Sequence, residues 1–216
     1  MTGYLWVIFS YLLTSIPNGY LVTKWLTDQD IRDRGRKKLS GSNIIHNAGL
    51  VPGLLSGFLD VLKGVFTVWG AFRLGFPESI QVLSGLAALC GQMWPIFFKF
   101  WGGRGGSVLI AILLILSPRI LSISAVIFLI SKILSREMGA PIGMILFGIS
   151  SIILASYSMQ STVIIFGVPA LVLIFLQRLL GKPGSLLKIK DKKVILWRLI
   201  LDRDTKERLL SEREVW

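Results

Sequence analysis

The sequence predicts an all-α polytopic membrane protein, and three observations predict it. Of 216 residues, 53% are hydrophobic and only 17% charged, the mean hydropathy is +0.68, and the apolar residues fall in long charge-poor stretches separated by basic clusters. A water-soluble domain carries more charge than this. Runs of about 20 apolar residues are what the roughly 30 Å hydrocarbon core of a bilayer demands at 1.5 Å of helix rise per residue.

Residues 1 to 23 carry no charged side chain before Lys24. They lack the basic leader region and small-residue cleavage site of a signal peptide, so one helix of the mature protein is expected there. A second stretch, 50–72, contains Asp60 and Lys63, and a third, 79–98, contains no charge. Stretches 105–118 and 120–131 are shorter and meet at Ser117, Pro118 and Arg119, where proline interrupts a continuous helix, so they are read as two. Residues 138–177 are charge-free but too long for one crossing, and the polar run Ser156 to Ser161 is the place to turn. The total is about seven transmembrane helices. A membrane bundle is expected over residues 1–181 and a basic amphipathic cytoplasmic tail over 182–216, where basic clusters alternate with apolar residues.

Charge orients the bundle. With the N-terminus outside, 21 of the 24 Lys and Arg residues fall on the cytoplasmic side, Arg73 and Arg119 fall outside, and Lys63 lies within a span. Positive residues accumulate in cytoplasmic loops, so the N-terminus is expected outside and the C-terminus in the cytoplasm. The net charge of +12 on so apolar a chain points to anionic lipid or anionic substrate as partners, and nucleic acid is not expected. The single cysteine, Cys90, excludes an intrachain disulfide, and the single histidine, His46, excludes a His-rich zinc site. No metal or cofactor is expected.

Three features on the cytoplasmic side of this arrangement can carry chemistry. The loop from Asp30 to Gly49 sets cations beside a small-residue turn, Ser40, Gly41, Ser42 and Asn43, whose N–H groups and hydroxyls can hold a phosphate. It reads equally as a basic anchor touching lipid headgroups. The run Lys99, Phe100, Trp101, Gly102, Gly103, Arg104, Gly105, followed by an apolar helix, brings bare backbone, a helix N-terminus and a forked donor to one place, as a phosphate cradle would. The alternative is an ordinary glycine turn, since the spacing matches no standard nucleotide loop. Asp60 and Lys63, three residues apart, share a helix face inside a span, where they form a functional or a structural pair.

Together these pieces resemble the bacterial acyl-phosphate:glycerol-3-phosphate acyltransferase family. Ser15, Ile16, Pro17, Asn18, Gly19, Tyr20 and Leu21 match its SIPxGYL; Asp30, Ile31, Arg32 and Gly35 its DIRxxG; Leu59, Asp60, Lys63 and Gly64 its LDxxKG; and Pro95 with Lys99, Phe100, Gly102, Gly103, Arg104 and Gly105 its PxxxKFxGGKG. The motifs cover the first half of the chain in order, and the second half agrees by hydropathy. The family's GSGNIGATN loop aligns in two registers. Without gaps it falls on Gly35 to Asn43, preserving Asn43 and a hydroxyl at Ser42, with Arg36 at the family's serine and His46 at its following arginine; with a gap, Gly41 and Ser42 take the GS. The histidine of its GHxxP is Gln92 here, and its late RHxxNIxRL reads Phe175, Leu176, Gln177, Arg178, Leu179, Leu180.

The resemblance implies a seven-helix bundle in the bacterial inner membrane that transfers an acyl group from acyl phosphate to the sn-1 hydroxyl of glycerol 3-phosphate, giving lysophosphatidate. It implies phosphate contacts from Arg32, Ser40, Gly41, Lys99, Gly102, Gly103, Arg104 and Gly105, and reaction-centre roles for His46, Ser42 and Asn43, with Asp60 and Lys63 as a structural intramembrane pair. Implied partners are acyl phosphate, glycerol 3-phosphate, membrane lipids and other enzymes of phospholipid synthesis. The alternative is a catalytically silent relative that binds acyl phosphate or anionic lipid as a regulator. A small transporter is a third class, disfavoured because the chain shows no internal repeat.

Overall fold

The computed structural model describes residues 1–33, 39, 41–134 and 139–180, with Ile195, Arg198 and Leu199 of the tail, and among the described residues every regular element is helical. The first apolar stretch, expected as one helix, is two: α1 (Thr2–Thr14) and α2 (Asn18–Thr27). Pro17 has no N–H to donate and pushes its predecessor out of the helical region, so the chain breaks over Ser15, Ile16 and Pro17. It restarts with the Tyr20 and Leu21 amides donating to the Pro17 carbonyl at 3.0 Å. The end of α2 is set by Asp28, left-handed at φ 54°.

A second correction falls on the loop Asp30–Gly49. After a 3-10 turn at Ile31–Asp33, the segment expected as a small-residue turn opens a helix, α3 (Gly41–Ala48). Its apolar side explains why: Asn43 and Ile44 are buried, and Ile45 packs into the gap left by Gly53 of α4 (Leu50–Arg73). The 24 residues of α4 rise about 36 Å, enough for a hydrocarbon core.

The third stretch becomes α5 (Glu78–Met93), stopped short of residue 98 by Pro95 and a non-helical Trp94, and a 3-10 turn at Ile96–Phe98 follows. Then come α6 (Gly106–Leu116), α7 (Pro118–Leu134), α8 (Gly139–Tyr157) and α9 (Ser161–Leu180). Pro118 separates α6 from α7 through an extended Ser117, and the turn between α8 and α9 lies within the polar run at 156–161, with Met159 left-handed at φ 53°.

Four stretches, Thr2–Thr27, Leu50–Arg73, Glu78–Phe98 and Ser161–Leu180, are long and apolar enough to cross a membrane. With 11 residues, α6 rises only about 16 Å. α1 lies along α5, α4 touches α2, α3, α5 and α6, and α9 lies against α5 and α8. The main core gathers Leu89, Met93, Val108, Ile112, Phe166 and Ile174. Outward, Phe58, Leu62, Phe66 and Trp69 on α4, and Ile165, Val168, Val172 and Leu176 on α9, are exposed at helical spacing, an apolar face suited to lipid. Close crossings use glycine: a Cβ on Gly64 would stand 2.6 Å from that of Ala111, and one on Gly70 2.5 Å from the Trp6 ring.

Candidate active site

The site is built around the break between α1 and α2. The buried Lys63 of α4 reaches into the break: its Nζ donates to Ile16 O at 2.6 Å, a carbonyl that also accepts Asn18 N–H at 3.0 Å, and to Thr14 O at 3.4 Å. One turn earlier on the same face, Asp60 lies 3.3 Å from that ammonium. Asp60 also accepts from Asn18 Nδ2 at 3.2 Å and from Gln92 Nε2 at 2.7 Å. An isolated charge in this interior would be costly, and each member of the pair is offset by the other and by oriented amides. Three elements that meet nowhere in sequence, the start of α2, the middle of α4 and the end of α5, are thereby held at one point.

A small separate core joins the two cation-bearing loops. Ile31, Leu39 and Ile44 are buried with Tyr20, Ala48 and Phe98 packed on them. Arg32 lies over the rings of Tyr20 and Phe98, 5.0 and 5.2 Å from their centroids, and its guanidinium forks onto the Asp30 carboxylate, with Nε 2.9 Å from both oxygens. The Arg32 side-chain hydrogen bond, reinforced by its backbone N–H, holds the Asp30 carboxyl below the usual carboxylate range. Immediately after Phe98, Lys99 and Phe100 both take left-handed backbone, at φ 52° and 59°, and both are exposed. Non-glycine residues adopt this region at a cost, and here the surrounding turn enforces it: Phe100 N–H donates to Pro95 O at 2.9 Å and Trp101 N–H to Phe98 O at 3.0 Å.

The glycines that follow do something other than leave open space for a ligand. A Cβ on Gly102 would stand 2.5 Å from Pro95 Cδ and 2.6 Å from Met93 O, one on Gly103 2.8 Å from Leu39 O, and one on Gly105 2.5 Å from Leu89. At these directions the chain itself fills the gap. Gly103 N–H donates to Gln92 O at 3.0 Å, satisfying one of the carbonyls left over at the end of α5. Thr14, Ile16, Asn18, Gln92, Gly102 and Gly103 line a shallow cleft between the helix break and this loop.

Arg104 reaches across to α9. Its Nη1 donates to Gln177 O at 3.0 Å and makes a short bond to Gln177 Oε1. Gln177 is buried. Its neighbour Arg178, also buried, donates to Leu199 O at 2.7 Å, and Arg198 donates back to Leu179 O at 3.2 Å, so this part of the tail rests on the end of α9.

Of the residues singled out from sequence, Gly102 and Gly103 line the cleft, Arg32 shares the small core with Phe98, and Arg104 lies at the other end of the glycine loop on Gln177. Gly41 begins α3, Asn43 is buried in it and takes the Asn47 amide at 3.1 Å, and His46 is exposed on it. Ser40, and the Ser42 side chain, lie outside the described residues. Gln177, Asn18 and the contact of Gln92 with Asp60 were missed. Asn18 follows Pro17 in a turn signal, Gln92 is a lone polar residue near the end of an apolar stretch, and Gln177 falls in the stretch aligned with RHxxNIxRL, so each had a trace though not a partner.

A family model described as glycerol-3-phosphate acyltransferase matches residues 4–188. A glycerol-3-phosphate acyltransferase of Synechococcus sp. (strain CC9605) is 40% identical over 103 residues, 48% of this chain and 51% of the relative. Glycerol-3-phosphate acyltransferase 2 of Moorella thermoacetica is 37% identical over 130 residues, 60% of this chain and 66% of the relative. The chain spans about half the length of the Synechococcus relative it matches. The crystal structure of PlsY (YgiH), an integral membrane glycerol 3-phosphate acyltransferase, in its glycerol 3-phosphate form superposes with a TM-score of 0.74 at 26% identity, covering 88% of this chain and 100% of that one. With helices, break and motif loops where the family model runs over most of its length, this multi-pass membrane chain belongs to the glycerol-3-phosphate acyltransferase family.

Proposed function

We propose that the protein transfers an acyl group from acyl phosphate to the sn-1 hydroxyl of glycerol 3-phosphate in the bacterial inner membrane, as a step of phospholipid synthesis. It crosses the membrane seven times with its N-terminus outside, and the tail from residue 182 lies on the cytoplasmic surface. The observation that carries this reading is Arg32 lying over Phe98, the residue before the Lys99–Gly105 loop, with Gly103 of that loop against Leu39 beside the polar cleft, within a chain of this family. The PlsY structures of the same fold are described in a glycerol 3-phosphate form and a lysphosphatidic acid form, ligands that agree with such a reaction.

In the reaction, the sn-1 oxygen forms an ester bond to the acyl carbonyl carbon, and the bond from that carbon to the phosphate oxygen breaks. Inorganic phosphate leaves, and the hydroxyl proton passes to a general base. Arg32, Lys99 and Arg104 hold the two phosphates, with backbone from Gly102, Gly103 and Gly105 shaping the loop between them. Ser40, Gly41, Ser42 and Asn43 position the acceptor, and His46 is the proton acceptor. Cations fixed before the reaction stabilise charge as it grows on the carbonyl oxygen and the leaving phosphate. Asp60 and Lys63 act from below by fixing the helix break and the end of α5.

The test is phosphate release by purified protein in lipid, given long-chain acyl phosphate with and without glycerol 3-phosphate. Release dependent on glycerol 3-phosphate, falling about 100-fold or more in Arg104→Ala with unchanged thermal unfolding, is the expected result. A second reading, a silent relative that binds acyl phosphate or anionic lipid, is favoured by the engagement of Arg104 with Gln177. Saturable binding of acyl phosphate without release would select it.

A further inference from the structure

Gln92 touches both the buried ion pair and the glycine loop. Its side-chain Nε2 donates to Asp60 Oδ2 at 2.7 Å. Its backbone carbonyl, left without a partner inside α5, accepts Gly103 N–H at 3.0 Å. A Cβ on Gly102 would meet that same carbonyl and one on Gly103 would come 3.8 Å from Nε2, so the loop rests on Gln92 from both sides. Asp60, in turn, is fixed by Lys63 and Asn18, so it is a rigid anchor. Gln92 also lines the cleft beside Asn18, Gly102 and Gly103.

We infer that Gln92 is a positioning residue: by tying the end of α5 to Asp60, it sets the place of the Gly102–Gly105 loop and so the affinity of that loop for a phosphorylated acceptor. A hydrogen bond to a buried carboxylate paired with an ammonium is among the stronger ones a protein makes, and the Gly103 N–H ties the loop to the end of α5 through the Gln92 carbonyl. Without the side-chain amide, the last turn of α5 frays toward Trp94 and Pro95, and Gly103 moves with it. The effect falls on binding of the acceptor and not on the chemical step, because Gln92 reaches the reaction only through the loop.

The inference rests on the acyltransferase reading for its kinetic arm alone. In full-length protein in lipid nanodiscs, Gln92→Ala is expected to raise the KM for glycerol 3-phosphate about tenfold or more, with kcat and the KM for acyl phosphate within about threefold of the parent. Gln92→His, which returns an N–H donor and is the residue of the family's GHxxP motif, recovers most of that KM. A KM unchanged in Gln92→Ala, or both KM values raised equally, overturns the inference while leaving the acyltransferase reading intact. Hydrogen exchange across residues 98–106, measured without substrates, tests the same tether whether or not the parent turns over. Exchange about tenfold faster in Gln92→Ala, with α8 and α9 unaffected, is expected. Exchange in 98–106 equal to that of the parent overturns the inference by itself.

Discussion

Replacing Lys63 by methionine keeps most of the side chain's volume and removes only its charge and donors. Three contacts go: the one to Asp60 at 3.3 Å and those to the Ile16 and Thr14 carbonyls at 2.6 and 3.4 Å. Asp60 keeps two amide donors but loses the only cation beside it among the described residues. Removing one partner of a buried pair costs about 3–5 kcal/mol, since the remaining charge stays buried and uncompensated. For a chain of this size that is a fall of roughly 6–20 °C in unfolding midpoint. Cys90, the only cysteine, is half-buried in α5, so a thiol-reactive fluorophore reports unfolding on heating. The decisive measurement is the cycle with Asp60→Asn. If the pair is what the geometry says, the double variant falls short of the sum of the two single losses by about 2–3 kcal/mol, because the penalty for a lone charge vanishes when both charges are gone. Losses that add to within about 0.5 kcal/mol would refute the coupling, and with it the account of how the helix break is held.

Two further outcomes are expected. Gly102→Ala drives a methyl group into Pro95 and the Met93 carbonyl and costs about 1–3 kcal/mol with loss of acceptor binding, whereas Gly57→Ala, which meets nothing within 4 Å in mid-α4, gains about 0.5–1 kcal/mol; thermal unfolding and phosphate release of both variants check this, and equal behaviour would refute it. Because Arg32 holds the Asp30 carboxyl below its ordinary value near 3.9, that pair contributes stability above the unfolded value and loses it as pH falls through the lower folded one; hydrogen exchange over residues 28–33 should rise steeply below about pH 4 in the parent and distinctly less in Asp30→Asn, where the Asp28–Lys24 pair still titrates, after correction for intrinsic exchange.

Hydropathy located what a single helix or turn decides. Pro118 separated α6 from α7, and the polar run at 156–161 marked the turn between α8 and α9, because both are local consequences of chain chemistry. The three-residue spacing of Asp60 and Lys63 gave a shared face directly. Pro17 was equally visible, yet the uncharged run around it favoured one long helix; what makes a break there tolerable is Lys63, 47 residues away. Helix α3 was hidden because its eight residues mix small and polar types, and its burial against Gly53 is a tertiary fact. The partnership of Arg104 with Gln177 spans 73 residues and leaves no periodic trace in either helix. Motif matching said nothing of the loop glycines packing on Leu39, Met93 and Leu89.

The broken first segment also has a consequence for biosynthesis. Its Ile16 carbonyl, which accepts the Asn18 N–H locally at 3.0 Å, takes a second hydrogen bond from an ammonium 47 residues further along the chain. At translation rates of about 5–20 residues per second, that partner is made roughly 2–9 s after the segment it completes. Through that interval the carbonyls at the break lack their ammonium donor, and water or the insertion machinery stands in for it until α4 arrives. The order of synthesis thus brings this segment to the bilayer before the α4 residue that completes it.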